Sequence, residues 1–174
     1  LAAARLGLPV DLNNQPLAVD KVLVDKVSNA PGFKRAKALY DIERFTSARR
    51  EWNYLTDTSS DEEKLAASQL STDLGWHDST IFTLAKIKAW DNVEQRFPFA
   101  FQDVFERYSK RSKIDVAWSI AIARRESSFA PDARSHANAR GLMQLLPSTA
   151  EYVNKGSVTS SRLYQPKTNI RLGT

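Results

Sequence analysis

The sequence predicts an all-α protein. Three observations predict it. Apolar residues recur at spacings of three and four in one segment after another, helix-capping signatures separate the segments, and Pro, Gly and Asn punctuate them. The chain has 174 residues, 42% of them hydrophobic and 26% charged. That is an ordinary globular composition, long enough for one domain or two small ones and for a sizeable core. There is no cysteine, which excludes disulfide frameworks, thiolate metal sites and cysteine nucleophiles together. The apolar stretches fall far short of the roughly 20 residues that span a bilayer.

The elements are justified in chain order. Residues 1–32 are mixed and broken by Pro9, Asn13-Asn14, Pro16 and Pro31-Gly32, with one helix expected from Asp20 to Val27 on Val22, Leu23 and Val27. Phe33, Ala36, Leu39 and Tyr40 share one face of a helix from Phe33 to Tyr40. Phe45, Ala48, Trp52 and Leu55 do the same from Phe45 to Leu55. Ser60 with Glu63 fits a capping box for a helix Glu62–Leu74, with Leu65, Ala66, Leu70 and Leu74 as its apolar face and Gly75 as its stop. A further helix is expected from Trp76 to Trp90. Short, evenly spaced helices with an aromatic near each junction (Tyr40, Trp52, Trp76, Trp90) suggest a helical-repeat superhelix, although an irregular bundle would share the same pattern.

Phe97-Pro98 is the expected junction, giving a helical first domain over 1–95 and a second domain over 96–174. A helix from Ala100 to Tyr108 places Phe101, Val104, Phe105 and Tyr108 on one stripe, and Phe97, Phe99, Phe101 and Phe105 are expected in the core. Lys110-Arg111-Ser112-Lys113 is expected as a solvated loop. Charge is uneven: residues 1–90 carry 12 Lys+Arg against 12 Asp+Glu, while residues 91–174 carry 13 against 8. The whole net +5 therefore lies in the second half, a field suited to nucleic acid, acidic lipid or an acidic cell-wall polymer.

Chemistry concentrates after residue 114. Ile114, Ala117, Trp118, Ala121, Ile122, Arg125 and Phe129 fall at helical spacing, with Asp115 as a cap. Glu126 lies four residues after Ile122 and eight after Trp118, so it projects from the apolar side of that helix. A carboxyl desolvated there has its charged form disfavoured, which suits an acid that donates a proton near neutral pH. The alternative is a Glu that pairs with Arg124 or Arg125 near a helix end. A polar loop follows with Ser135, His136, Asn138 and Arg140. Next come Gly141-Leu142-Met143-Gln144-Leu145-Leu146 and a helix opened by Pro147. Gln144 is an amide inside an apolar run and needs partners or a ligand. His77 and His136 are far apart in sequence, and no metal-ligand spacing occurs.

Glu126-Ser127 at the end of an Ala-Ile-Ala-Arg-Arg helix, then Gly141-Leu142-Met143-Gln144 and Pro147-Ser148-Thr149-Ala150, resembles the soluble lytic transglycosylase family. Glu94-Gln95-Arg96-Phe97-Pro98, Phe105 and Arg107-Tyr108 resemble the entrance to the same domain in the large periplasmic, ring-shaped members. The Arg49-x-Glu51-Trp52 region resembles the helical linker that precedes it.

The resemblance implies a lysozyme-like catalytic domain. It implies cleavage of the β-1,4 bond between N-acetylmuramic acid and N-acetylglucosamine in peptidoglycan, leaving a 1,6-anhydromuramoyl end. Glu126 matches the single general acid/base, Ser135 a position that hydrogen-bonds the acetamido region, and Met143 and Gln144 positions lining the sugar sites. It also implies a periplasmic location, peptidoglycan glycan strands as partner, and no metal or cofactor; nucleic acid is not expected. The family's catalytic domain carries a later Ala-Tyr-Asn-Ala-Gly segment and a further Tyr that this sequence lacks, so the chain is expected to be a truncated piece of a longer protein. Arg125 stands where relatives often carry Gln. A goose-type lysozyme-like hydrolase and a non-enzymatic helical glycan-binding scaffold remain the alternatives.

Overall fold

The computed structural model describes residues 5–7, 9 and 12–174, so expectations for residues 1–4, 8, 10 and 11 lie outside it. Among the described residues there is no sheet, only two isolated antiparallel bridges, Arg134 with Arg140 and Arg140 with Leu145. The all-α expectation is met. The chain forms two compact units, Leu1–Pro98 and Phe99–Thr174.

The first unit contains α1 (Lys21–Asn29), α2 (Pro31–Asp41), α3 (Phe45–Asp57), α4 (Asp61–Asp73), α5 (His77–Lys86) and the single turn α6 (Val93–Arg96). Its helices pack chiefly as neighbours, α2 on α3 and α4 on α5, with α1 laid against α4. Local chemistry sets the boundaries. Asp20 caps α1 by accepting from the Val22 N–H at 2.8 Å. Pro31, expected as a breaker, instead opens α2, where its missing N–H costs nothing. The Ser60–Glu63 capping box forms in both directions. Gly75 follows α4 with φ of 68°, the left-handed turn that glycine adopts without a Cβ clash.

Three rings organise the core of this unit. Tyr40 stacks on Trp76 with centroids 4.6 Å apart, and Trp52 lies 5.2 Å from Trp76. Phe33, Ala36, Ala48, Ala66, Ala67 and Val27 fill the space around them. Trp52 is buried, and its indole N–H donates to the Thr83 hydroxyl at 2.9 Å. Asp78 is also buried and accepts from the Arg49 Nε at 2.6 Å, which supplies the partner a buried carboxylate requires. Burial is also the main cause that pushes the Tyr40 hydroxyl above the ordinary phenol range.

Several expectations shift. Val22 is exposed, and α1 buries Val27 with Leu23 and Val24 partly covered. The α4 face includes Ser68 and Ser71. Their hydroxyls bond the carbonyls three residues back, so a polar side chain enters the core at little cost. The helix expected to reach Trp90 stops at Lys86, because Lys88 turns left-handed (φ 54°). Trp90 is left half-exposed, with the Arg96 guanidinium 4.8 Å from its ring centre.

The second unit contains α7 (Gln102–Ser112), α8 (Val116–Ser127), α9 (Pro147–Asn154), a 3₁₀ turn at Ser160–Tyr164 and α10 (Pro166–Gly173). Of the four phenylalanines expected in the core, only Phe105 is fully buried; Phe97 and Phe99 are exposed, and Phe101 is a left-handed residue (φ 54°) at the start of α7. Lys110-Arg111-Ser112 form the last turn of α7 rather than a loop. Basic side chains there suit the negative end of the helix dipole. α7 packs on α8 and α10, and its Ser109 meets Ser119 of α8 at 2.9 Å between buried hydroxyls. A separate core of Ala150, Val158, Leu163 and Leu172 joins α9, the 3₁₀ turn and α10. No helix among the described residues is long and apolar enough to cross a membrane.

Thr83→Val removes the acceptor for a buried indole N–H while keeping the shape. It is expected to lower the unfolding free energy of the first unit by about 1–3 kcal/mol, read by denaturant titration. His77 is partly buried, and burial pulls its imidazole below its ordinary value. The folded state then prefers the neutral ring, so that stabilisation is complete above the unfolded value of about 6.5 and is lost as pH falls through the folded one. Melting curves of His77→Gln are expected to show a weaker decline between pH 7 and pH 5 than those of the parent.

Candidate active site

The site is built on the last turn of α8 and the loop after it. Asp115 caps α8 by accepting from the Trp118 N–H, as its position suggests. The helix ends at Ser127, two residues short of expectation, because Ser128 and Phe129 both turn left-handed, with φ of 51° and 66°. Phe129 is then buried, while its N–H donates back to the Ser127 hydroxyl at 3.1 Å.

Glu126 shares its helix face with Trp118, Ala121 and Ile122, as the spacing predicts, and these residues with Arg125 line an open groove of about 220 Å³. The expected desolvation of the carboxyl is not supplied by the packing of this chain. Glu126 is exposed and Trp118 is 67% exposed, because nothing among the described residues lies over that apolar face. The periodicity identified the stripe correctly but carried no information on what would cover it.

The other expected site residues belong to the loop. Ser135 closes a short turn: its N–H donates to the Ala139 carbonyl, and its hydroxyl accepts from the Ala139 N–H, both at 3.0 Å. That leaves the hydroxyl proton as a donor. Gln144 sits in the left-handed region (φ 47°), and its Nε2 donates to the carbonyls of Gly141 at 2.9 Å and Ala133 at 3.2 Å. Both amide protons therefore serve the loop, and the Oε1 is the part left for a ligand. Met143 is buried and packs against Gly173 of α10. Neither Met143 nor Gln144 lines the groove beside Glu126. His136 is exposed, as expected. Among the described residues no group of three His, Cys, Asp or Glu side chains stands ready to hold a metal ion.

Two residues that the sequence reading passed over hold this arrangement. Asn169 of α10 is fully buried. Its Oδ1 accepts from the Met143 N–H at 2.7 Å, and its Nδ2 donates to the carbonyls of Arg140 and Leu163, each at 2.8 Å. Ser127 donates its hydroxyl to the Leu142 carbonyl at 2.8 Å, with the Ala123 carbonyl as a second acceptor at 3.1 Å. Gly141 is required where these strands of chain converge. It is buried with φ of 73°, and a Cβ there would collide with the Leu163 carbonyl and the Asn169 amide. The guanidinium of Arg140 is held by neutral partners, the Tyr164 hydroxyl at 3.1 Å and the Asn138 Oδ1 at 2.8 Å.

Two family models match the chain, one in each unit: the soluble lytic murein transglycosylase L domain over residues 26–93 and the transglycosylase SLT domain over residues 103–174. The chain carries the L domain and the SLT domain of soluble lytic transglycosylases. It is 33% identical to the soluble lytic murein transglycosylase of Escherichia coli K12 across its whole length, and it spans 27% of that relative. Its structure superposes on an inactive glutamate-to-glutamine mutant of the lytic transglycosylase Slt from Pseudomonas aeruginosa with a TM-score of 0.90 and 34% identity, covering 99% of this chain and 29% of that one. The 70-kDa soluble lytic transglycosylase in complex with bulgecin A gives a TM-score of 0.88 at 32% identity, with 99% and 28% covered. The chain thus spans less than a third of these relatives, across a linker-type and a transglycosylase-type domain.

Of the SLT-domain positions, Ser127 had a signal in the sequence, since it adjoins Glu126 in the motif. Asn169 had none: a lone Asn in a short amphipathic helix looks like surface until the loop it serves is in place. Gly141→Ala is expected to destabilise the second unit by on the order of 3 kcal/mol, combining left-handed strain with a backbone collision. Thermal denaturation followed by near-ultraviolet circular dichroism checks it, and a melting point within a degree of the parent would contradict the geometry.

Proposed function

We propose that this chain is part of a peptidoglycan lytic transglycosylase in which Glu126 is the single general acid/base. The observation that carries the reading is a carboxyl displayed on an apolar groove of α8, one residue from a hydroxyl that ties the helix end to the Gly-Leu-Met-Gln loop. The SLT domain, the murein-acting relatives and the bulgecin A complex of a homologue support the substrate class. Residues 1–95 are assigned as the helical linker domain and 96–174 as the transglycosylase domain. The compartment this reading requires is the periplasm, where peptidoglycan lies.

The chemistry needs only one carboxyl. Most glycosidases use a pair, one as acid and one as nucleophile or base, but the 2-acetamido group of the substrate can replace the second. Glu126 gives its proton to the glycosidic oxygen as the bond to C1 breaks. The resulting carboxylate then takes the proton of the muramoyl C6 hydroxyl as that oxygen bonds C1, closing the 1,6-anhydro ring and restoring the acid. The hydroxyl competes with water because it is held in the same molecule at high effective concentration. Sugar seated over Trp118 and Ile122 would exclude water from the carboxyl, a role that none of the described residues fills. Ser135 offers its remaining hydroxyl proton to the acetamido carbonyl, and Gln144 Oε1 and the backbone at Met143 border sugar that extends past the Glu126 groove onto the loop. The positive balance of this half suits an anionic polymer, with no need to invoke nucleic acid.

Mass spectrometry of products from purified peptidoglycan tests the reaction. Products lighter by one water, without new reducing ends, are expected. Ordinary reducing ends would assign a hydrolase, and no products at all would favour the glycan-binding scaffold. Glu126→Gln is expected to reduce turnover by at least about a thousandfold, general acid and base loss combined, while leaving the melting temperature unchanged. Turnover near that of the parent would remove Glu126 from the mechanism.

A further inference from the structure

The Ser127 and Asn169 hydrogen bonds meet on one peptide group. The Leu142 carbonyl accepts from the Ser127 hydroxyl at 2.8 Å, and the N–H of the same peptide, carried by Met143, donates to Asn169 Oδ1 at 2.7 Å. One peptide plane is therefore gripped on opposite edges, by the end of α8 on one side and by α10 on the other. Its flanking residues have no freedom to slide. Gly141 admits no side chain, Leu142 is fully buried, and Met143 is wedged against Gly173.

We propose that Ser127 is the positioning residue for Glu126, and that the Leu142–Met143 peptide is the fixed point to which Ser127 refers the end of α8. The inference rests on Glu126 being the acid/base. The physical argument has three parts. Glu126 occupies the last turn of α8, where helices fray and backbone hydrogen bonds run out. The Ser127 hydroxyl accepts from the Phe129 N–H and donates to Leu142, so it closes that end on both sides. The groove leaves the Glu126 carboxyl exposed, so no side-chain packing holds it, and its placement relative to the loop follows from the backbone next door. A peptide bonded at both its N–H and its carbonyl is polarised by each bond, which strengthens the other. Asn169 thereby acts on the Ser127 bond without touching it.

The test uses the full chain of the protein, with peptidoglycan turnover and amide hydrogen exchange measured on the same preparations. Ser127→Ala is expected to lower kcat by at least about tenfold with KM changed by less than about threefold, the signature of a misplaced reacting group rather than lost binding. It is also expected to speed exchange of the Met143 amide by at least about tenfold, because the peptide loses its opposite anchor. Ser127→Thr keeps the hydroxyl and is expected to restore both.

Unchanged kcat in Ser127→Ala beside an inactive Glu126→Gln would overturn the positioning role and leave the acid/base assignment standing. Activity retained in Glu126→Gln would overturn that assignment and the positioning role with it. A fall in kcat that only tracks the unfolded fraction, and that Ser127→Thr fails to rescue, would make Ser127 a structural residue and overturn the proposal. A Met143 amide that exchanges at the parent rate in Ser127→Ala would show that the peptide is not held from the α8 side, which also overturns it.

Discussion

A doubly bonded peptide group is the constraint on which the second unit depends. Leu142 and Met143 share it, and side chains from α8 and α10 bind its two edges. The same Asn169 amide reaches the Arg140 and Leu163 carbonyls, so one buried side chain bonds three backbone groups. Without it, the Met143 N–H would be buried with no partner, at a cost of about 1–3 kcal/mol, and the Arg140 carbonyl would keep only its bond from the Leu145 N–H at 3.1 Å. The glycine at 141 is a consequence of this convergence, because the amide and the Leu163 carbonyl occupy the space a Cβ would need. Gln144 then pins the far side of the turn to Ala133 and Gly141.

The loop is rigid where the groove is open. Residues around Glu126 make few contacts on their outer side, whereas the residues one turn of chain away are fully buried. That division suits a site that holds its backbone geometry before a ligand arrives and lets the ligand provide the cover. The first unit shows the opposite economy. Its Trp52 and Trp76 rings are buried, and two of the polar groups buried with them, the Trp52 N–H and the Asp78 carboxylate, have partners in Thr83 and Arg49, whereas the Trp76 N–H is buried with no hydrogen-bond partner among the described residues. The Arg49-x-Glu51-Trp52 run is thus explained residue by residue: Arg49 neutralises Asp78, Glu51 pairs with Arg35 at 2.8 Å, and Trp52 fills the core.

Much of the fold was legible because helices write their period and their ends into local sequence. Ser60 with Glu63 and Asp115 each cap the helix that their position implied, and Asp20, expected as the first residue of its helix, caps it instead. Where the reading failed, a non-local or conformational cause stands behind it. Lys88 and Phe101 carry left-handed backbone that their residue types do not announce, so one helix stopped early and another started late. Phe97 and Phe99 are hydrophobic yet exposed, since composition states what could be buried and not what is. Ser68 and Ser71 are buried because their hydroxyls find carbonyls within their own helix.

The sequence by itself determined the all-α class, the helix caps and the apolar stripe of α8 on which Glu126 stands, because these follow from interactions among residues a few positions apart. Tertiary structure alone decided that Asn169 serves that loop from 26 positions away, that Ser127 closes on Leu142 across 15, and that the Glu126 face stands open. Each of these depends on which distant backbone groups are left without partners once the helices pack, and a local pattern does not encode that.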